Sequence, residues 1–175
     1  SVWRTQFGFK SVPANPPPWI KLEKDSLNTL TEWGWLNYGF EMYYALLNCG
    51  FRLTPTAGTA SGVHPVPLGY SRVYVHTGEE FNEQQWLAGL KSGRSFVTTG
   101  PMLLAKVNQA LPGENFDFQG RQPRTFRVEI ESTSASPIER VEVLVNGEVV
   151  ATVDGPGTRL ADGGWQLQSV QSVTS

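Results

Sequence analysis

Cysteine is almost missing from this chain: Cys49 is the only one among 175 residues. A single thiol closes no intrachain disulfide and builds no thiolate zinc knuckle. Many exported bacterial proteins lack cysteine pairs, so the compartment stays open between cytoplasm and export. Charge is also sparse, at 17% of residues with a net of −2 and no basic stripe. This excludes nucleic-acid binding driven by phosphate contacts. Long apolar runs are absent, and none approaches the roughly 20 residues that a membrane-crossing helix needs. Ser1–Lys10 lacks a charged start followed by an apolar run, so no signal peptide is read there.

What is present favours a folded, turn-rich protein. The chain is 39% hydrophobic, with 6 Trp and 9 Phe, and carries 18 Gly and 12 Pro. That is enough apolar material for a core and too many turn formers for an all-helical fold. The length suits one large domain or two small ones. The sequence opens at SVWRTQFGF without methionine and stops at QLQSVQSVTS in strand-like alternation. It is therefore expected to be a piece of a longer protein, and the rest of that chain is its first expected partner.

Three consecutive prolines, Pro16 to Pro18, predict an extended path, with Trp19 and Ile20 pinned to the body. Thr29–Cys49 reads as a helix. Thr29 and Glu32 form a capping-box pattern. Leu36, Phe40, Tyr43, Tyr44 and Leu47 recur on one face, and Gly50 stops the helix. Gly34 and Gly39 each weaken it by about 1 kcal/mol relative to Ala. The Trp33, Trp35, Tyr38 cluster is read as packing rather than as a stacking platform.

Tyr70–His76 is a predicted strand, with Val73 and Val75 on one face and Arg72, Tyr74 and His76 on the other. Phe81–Leu90 is a second helix: Asn82 is the N-cap, Phe81 can staple onto Trp86, and Gly93 ends it. Ser95–Thr99 is a strand. Strand, helix and strand over about 30 residues make a βαβ-like unit. After Gly100 the predicted elements are all strands: Met102–Val107, Phe126–Ile130, Val141–Val145, Glu148–Val153 and Trp165–Val170. Asn146-Gly147 is a strong hairpin signal. A domain boundary near Gly100 follows, separating residues 1–100 from a β-sandwich module at residues 101–175.

The phrases LLNCGFRL, AGTASGVHP, PLGYSRVYVH and LKSGRSFVTTGP, between Tyr43 and Pro101, resemble the C-terminal part of PHP-like metallohydrolases of the CehA/McbA type. The resemblance covers about a third of the chain. It implies an α/β portion ending a distorted (β/α) barrel, followed by an immunoglobulin-like β-sandwich. It also implies ester or phosphoester hydrolysis of a small-molecule substrate by metal-bound water, with Zn, Mn or Fe held by His and Asp. The family's early histidine motifs would lie upstream of Ser1. Its last motif aligns with Gly58, Thr59, Ala60 and Ser61, and Ala60 stands where the metal-binding Asp would be. An Ala methyl coordinates no cation, so no cofactor is expected in this segment itself, and a divalent metal is expected only in a full-length protein.

Read one by one, the loop residues give several candidates. His64 is the metal-ligand candidate, although no Asp, Glu or Cys is near it in sequence, and an ordinary loop histidine before Pro65 is the competing reading. Gly58, Thr59 and Ser61, with Arg72 nearby, form a candidate anion or substrate loop through backbone N–H groups. The run G-T-A-S-G is not a nucleophile elbow, so Thr59 and Ser61 are poor nucleophiles. His76 beside Glu79 and Glu80 reads as a solvated turn. Cys49 reads as a buried apolar filler, and Asp117, Asp154 and Asp162 as turn residues. The function expected is a fragment of a hydrolase homologue that is inactive as cut. The alternative is a non-catalytic binding or structural module using the β-sandwich and the Trp-rich helix.

Overall fold

The computed structural model describes residues 15–26, 28–59, 66–120 and 122–175. They form a mixed α+β protein, mostly antiparallel sheet with two helices, and divide into two compact units, Ser1–Leu53 and Thr54–Ser175.

In the first unit, Lys24 bridges to Leu30 around a turn. Asp25 ties the turn by accepting from the Thr29 backbone N–H at 3.0 Å and from the Thr29 hydroxyl at 2.5 Å. Thr29 is thereby occupied, and the cap of the following helix, α1 (Glu32–Asn48), is Thr31, whose hydroxyl accepts from Gly34 N. The N-cap is thus displaced by two residues from the expected one, and with glycine at the third helical position the expected capping box does not form. Gly34 is buried against the Glu23 carbonyl, which leaves no room for a Cβ there. Ile20 and Leu30 are buried, whereas Trp19 is not.

The face of α1 expected to be covered is covered only in part, at the half-buried Tyr43 and Tyr44. Leu36, Phe40 and Leu47 are exposed, and Trp33 leaves 66% of its surface in solvent. The more protected stripe runs through Gly34, Trp35, Tyr38, Met42 and Ala45. Two overlapping apolar stripes existed in the sequence, and the close approach at Gly34 selects this one. Trp35 and Tyr38 still pack together edge to face, with centroids 6.1 Å apart. Cys49 caps the helix and is exposed, not buried. Its side chain lies one position beyond the last helical residue, outside the protected stripe.

The second unit begins with a two-stranded ribbon, β1 (Arg72–Val75) and β2 (Ser95–Thr98), joined through α2 (Glu83–Lys91). Asn82 caps α2 by accepting from Gln85 N at 2.8 Å, as its sequence predicts. Phe81 does not staple onto Trp86; 77% of its surface is in solvent. The ribbon is antiparallel, with Tyr74 opposite Phe96, so it is not a parallel βαβ unit. The reason is where the excursion closes. His76 N donates to Arg94 O at 2.8 Å, so the chain leaves and re-enters the ribbon at the same end. A Cβ on Gly89 would stand 2.6 Å from Val75 Cγ1 and 2.9 Å from His76 O. Glycine at that position lets α2 lie directly on the Val75 face of the ribbon.

The rest is sheet, and no helix follows α2 among the described residues. Strands β3 (Met102–Val107), β4 (Thr125–Ser134), β8 (Trp165–Thr174) and β7 (Thr158–Arg159) form one antiparallel sheet in the order β3-β4-β8-β7. Strands β5 (Arg140–Val145) and β6 (Glu148–Asp154) form a hairpin whose turn residues, Asn146 and Gly147, have φ of 56° and 89°. Two successive positive φ values are the backbone that Asn-Gly favours, and their twist matches the flanking strands. Strand β8 runs four residues past the expected Val170 and β4 four past Ile130, and the ladder between the two strands continues to both of their ends.

One face of the four-stranded sheet and one face of the hairpin share a core. Val128, Ile130 and Val173 are buried there, with Phe126, Val141, Val143, Val145 and Val153 packed against them. Alternation along β4 therefore sends Phe126, Val128, Ile130 and Ser132 inward and Arg127, Glu129 and Glu131 to the opposite, outer face. Phe116, Phe118 and Phe126 close one end of the core, with the Arg124 guanidinium 4.3 Å from the Phe118 ring centroid.

Candidate functional site

Two elements meet to form a groove. The turn from β2 to β3 is tight: the Thr98 hydroxyl donates to Pro101 O at 2.6 Å and accepts from Gly100 N at 2.9 Å. This brings the polar face of the ribbon beside the outer face of the four-stranded sheet. Between them is a groove of about 910 Å³. That volume lies within the roughly 300–1,000 Å³ of small-molecule sites.

The ribbon wall carries Tyr74 and Phe96, which sit opposite each other in register and stack with centroids 5.3 Å apart and planes 14° apart. Tyr74 leaves 38% of its surface open. The sheet supplies Leu104 and Lys106 from β3, Glu129 and Glu131 from β4, and Gln168 and Val170 from β8. Its carboxylates are engaged already: Glu129 pairs with Arg127, and Glu131 accepts from the Gln166 amide at 3.1 Å. Arg94 and Lys106, by contrast, enter no ion pair among the described residues. The groove thus combines an aromatic pair, aliphatic side chains and two cations with unspent charge. His76 and Arg94 also line a second depression of about 400 Å³ over α2.

The residues singled out in sequence lie elsewhere. Ala60, Ser61 and His64 are outside the described residues. The Thr59 hydroxyl is committed to the backbone of Ser71, accepting from its N–H at 2.8 Å and donating to its carbonyl at 3.3 Å. It latches the loop to the start of β1. Gly58 is exposed just before it. Arg72 is half-buried on the same ribbon face as Tyr74, and its Nε is buried without a hydrogen-bond partner. Asp162 serves its turn, accepting from Gly164 N at 2.9 Å. The groove itself escaped sequence reading, since its residues come from positions 74 to 170. The one available signal was the polar-face alternation of β1, which placed Tyr74 and His76 together.

A divalent metal is implied by the resemblance, and the described residues do not fit one. No three His, Cys, Asp or Glu side chains among them converge as a coordination shell would require. No helix among them is long and apolar enough to cross a membrane.

No protein-family model matches the chain, and no curated protein and no solved structure matches it.

Proposed function

We propose that the segment from Thr54 onward is a non-catalytic binding module whose groove takes an elongated ligand with an apolar body and an anionic end. The stacked Tyr74–Phe96 pair, flanked by Arg94 and Lys106, carries this reading. The rings and Leu104 offer apolar surface to the body of such a ligand. The unpaired guanidinium and ammonium meet its charge, and a guanidinium fork suits a carboxylate or phosphate. The test is a thermal-shift and heteronuclear NMR screen with aryl carboxylates and aryl phosphates. Amide shifts confined to β1, β2 and β3, lost in Tyr74→Ala and weakened in Arg94→Ala, support the groove. Shifts elsewhere, or none across the screen, overturn it.

A second reading rests on the phrases between Tyr43 and Pro101. In it the chain belongs to a PHP-like hydrolase homologue, with residues 1–100 closing a distorted barrel and residues 101–175 forming an immunoglobulin-like sandwich. The absence of helix after α2 among the described residues, and the packing of the β5–β6 hairpin on the four-stranded sheet, support the second half of that division. The antiparallel β1–β2 pair departs from the parallel strands of a (β/α) barrel. Hydrolysis of an ester, phosphoester or carbamate in the presence of Zn²⁺ or Mn²⁺, with stoichiometric metal by elemental analysis, would favour the hydrolase over the binding module.

A further inference from the structure

Backbone accounting singles out β8. Arg124 N donates to Ser175 O at 3.1 Å and Ser175 N donates to Arg124 O at 3.0 Å, so this pair exchanges both hydrogen bonds. In an antiparallel ladder such pairs recur at every second position. With Val173 opposite Phe126 and Gln171 opposite Val128, the alternation turns the N–H and C=O groups of Ser169, Gln171 and Val173 toward β4. Those of Gln168, Val170, Ser172 and Thr174 turn away from it. Strand β7 covers the outward side only at Trp165 and Gln166. Beyond that point no strand among the described residues pairs with it.

The composition of this edge is unusual. Exposed edges are ordinarily blunted by charge, proline, bulges or brevity. Strand β8 reads WQLQSVQSVT over its ten residues, with no charge, no proline and no glycine. Its pairing with β4 shows no irregularity. The edges elsewhere are charged: β3 carries Lys106, β5 carries Arg140 and Glu142, and β6 carries Glu148 and Asp154. Self-pairing about a two-fold axis sets a strand against its own sequence, where a charge near the axis meets its twin and repels it. A strand without charges is complementary to itself in this respect.

We propose that β8 pairs antiparallel with β8 of a second copy of this chain, about a two-fold axis at Gln171. Gln168 then stands opposite Thr174 of the partner subunit, and Val170 opposite Ser172 of the partner subunit. Every outward N–H and C=O of these four residues gains a partner, and the two four-stranded sheets become one. The side chains concerned lie on the outer face, so Val170, 53% exposed in the single chain, packs beside the joint. Gln168 and Val170 also line the groove, so two grooves would open on one shared surface.

The test is multi-angle light scattering of the whole chain across a concentration series, with amide exchange followed by NMR. The expected result is a dimer at high concentration, with the amides of Gln168, Val170, Ser172 and Thr174 protected. Ser172→Pro removes an outward N–H and leaves the β4 ladder intact, because proline is tolerated where the N–H faces away from the sheet. Val170→Lys places like charges diagonally across the axis. Each should weaken the dimer by at least about tenfold, while the inward amides of Ser169, Gln171 and Val173 stay protected, which shows that the fold survives. A chain that stays monomeric at all concentrations overturns the proposal. So does a dimer that resists both substitutions, since it would use another surface. A monomer that binds an extended peptide along β8 would assign the edge to a foreign strand instead.

Discussion

Gly34 stands against the carbonyl oxygen of Glu23, close enough that any side chain at this position would collide with backbone. Thr31 fixes that approach from the other side. Its N–H donates to Glu23 O at 3.1 Å, and its hydroxyl donates to the Glu23 carboxylate at 2.8 Å. The two glycines of α1 should therefore respond oppositely to the same change. Gly34→Ala should destabilise the first unit by about 1–3 kcal/mol through overpacking. Gly39→Ala, with nothing within 4 Å of the new methyl, should stabilise it by up to about 1 kcal/mol. Urea unfolding followed by tryptophan fluorescence reads both, and equal responses would refute the close approach.

Thr59 separates two roles for the loop ahead of β1. Its hydroxyl serves Ser71 on both sides, so Thr59→Val should leave the Ser71 amide without its acceptor. The expected cost is about 1 kcal/mol, with faster exchange at Ser71, and Thr59→Ser should restore both. A variant that keeps its stability but loses affinity for phosphate would instead return Thr59 to the anion loop.

The core between sheet and hairpin predicts a graded loss along β4. Ile130 is buried at its centre. Ile130→Val should cost about 0.5–1.5 kcal/mol and Ile130→Ala about 2–5 kcal/mol. Glu131, its neighbour on the outer face, should tolerate Ala within about 0.5 kcal/mol. Thermal unfolding of the three variants checks the order. Equal effects at positions 130 and 131 would contradict the alternation.

Tyr43 predicts an alkaline response in the first unit. Its hydroxyl donates to Leu53 O at 2.9 Å, and burial pushes its pKa above the ordinary tyrosine value of about 10. The folded chain then holds the phenolic proton more tightly than the unfolded chain does. Its contribution to stability is whole below that ordinary value and is lost as pH rises through the higher folded value. Melting temperature against pH should fall less steeply above pH 10 in Tyr43→Phe than in the native sequence. Coincident curves would show that the phenol plays no part.

Local chemistry was legible where it decides structure by itself. The Asn82 cap and the Asn146-Gly147 turn lie where their side chains and φ preferences put them. The valines of β5 alternate as read, with Val141, Val143 and Val145 all packed against the core, and the irregular pairing beside Val143 and Leu144 leaves its extra residue on β6. Legibility failed where distant backbone intervenes. The cap moved from Thr29 to Thr31 because Asp25 claims Thr29, and the protected stripe of α1 follows from the Glu23 carbonyl beneath Gly34. The ribbon became antiparallel because Arg94 closes onto His76. No periodicity reports any of these contacts. The groove was hidden for the same reason, its walls being joined only by strand order.

Strand β4 divides its duties by parity. Its even-numbered residues from Phe126 to Ser132 point to the core, and its odd-numbered ones, Arg127, Glu129 and Glu131, lie on the outer face, where Glu129 and Glu131 line the groove. Changes of recognition and changes of stability therefore fall on different letters of the same short word. The groove could be rewritten through positions 129 and 131 while the scaffold beneath kept its composition. An engineer could vary the odd positions of β4 as a library and leave the even ones untouched.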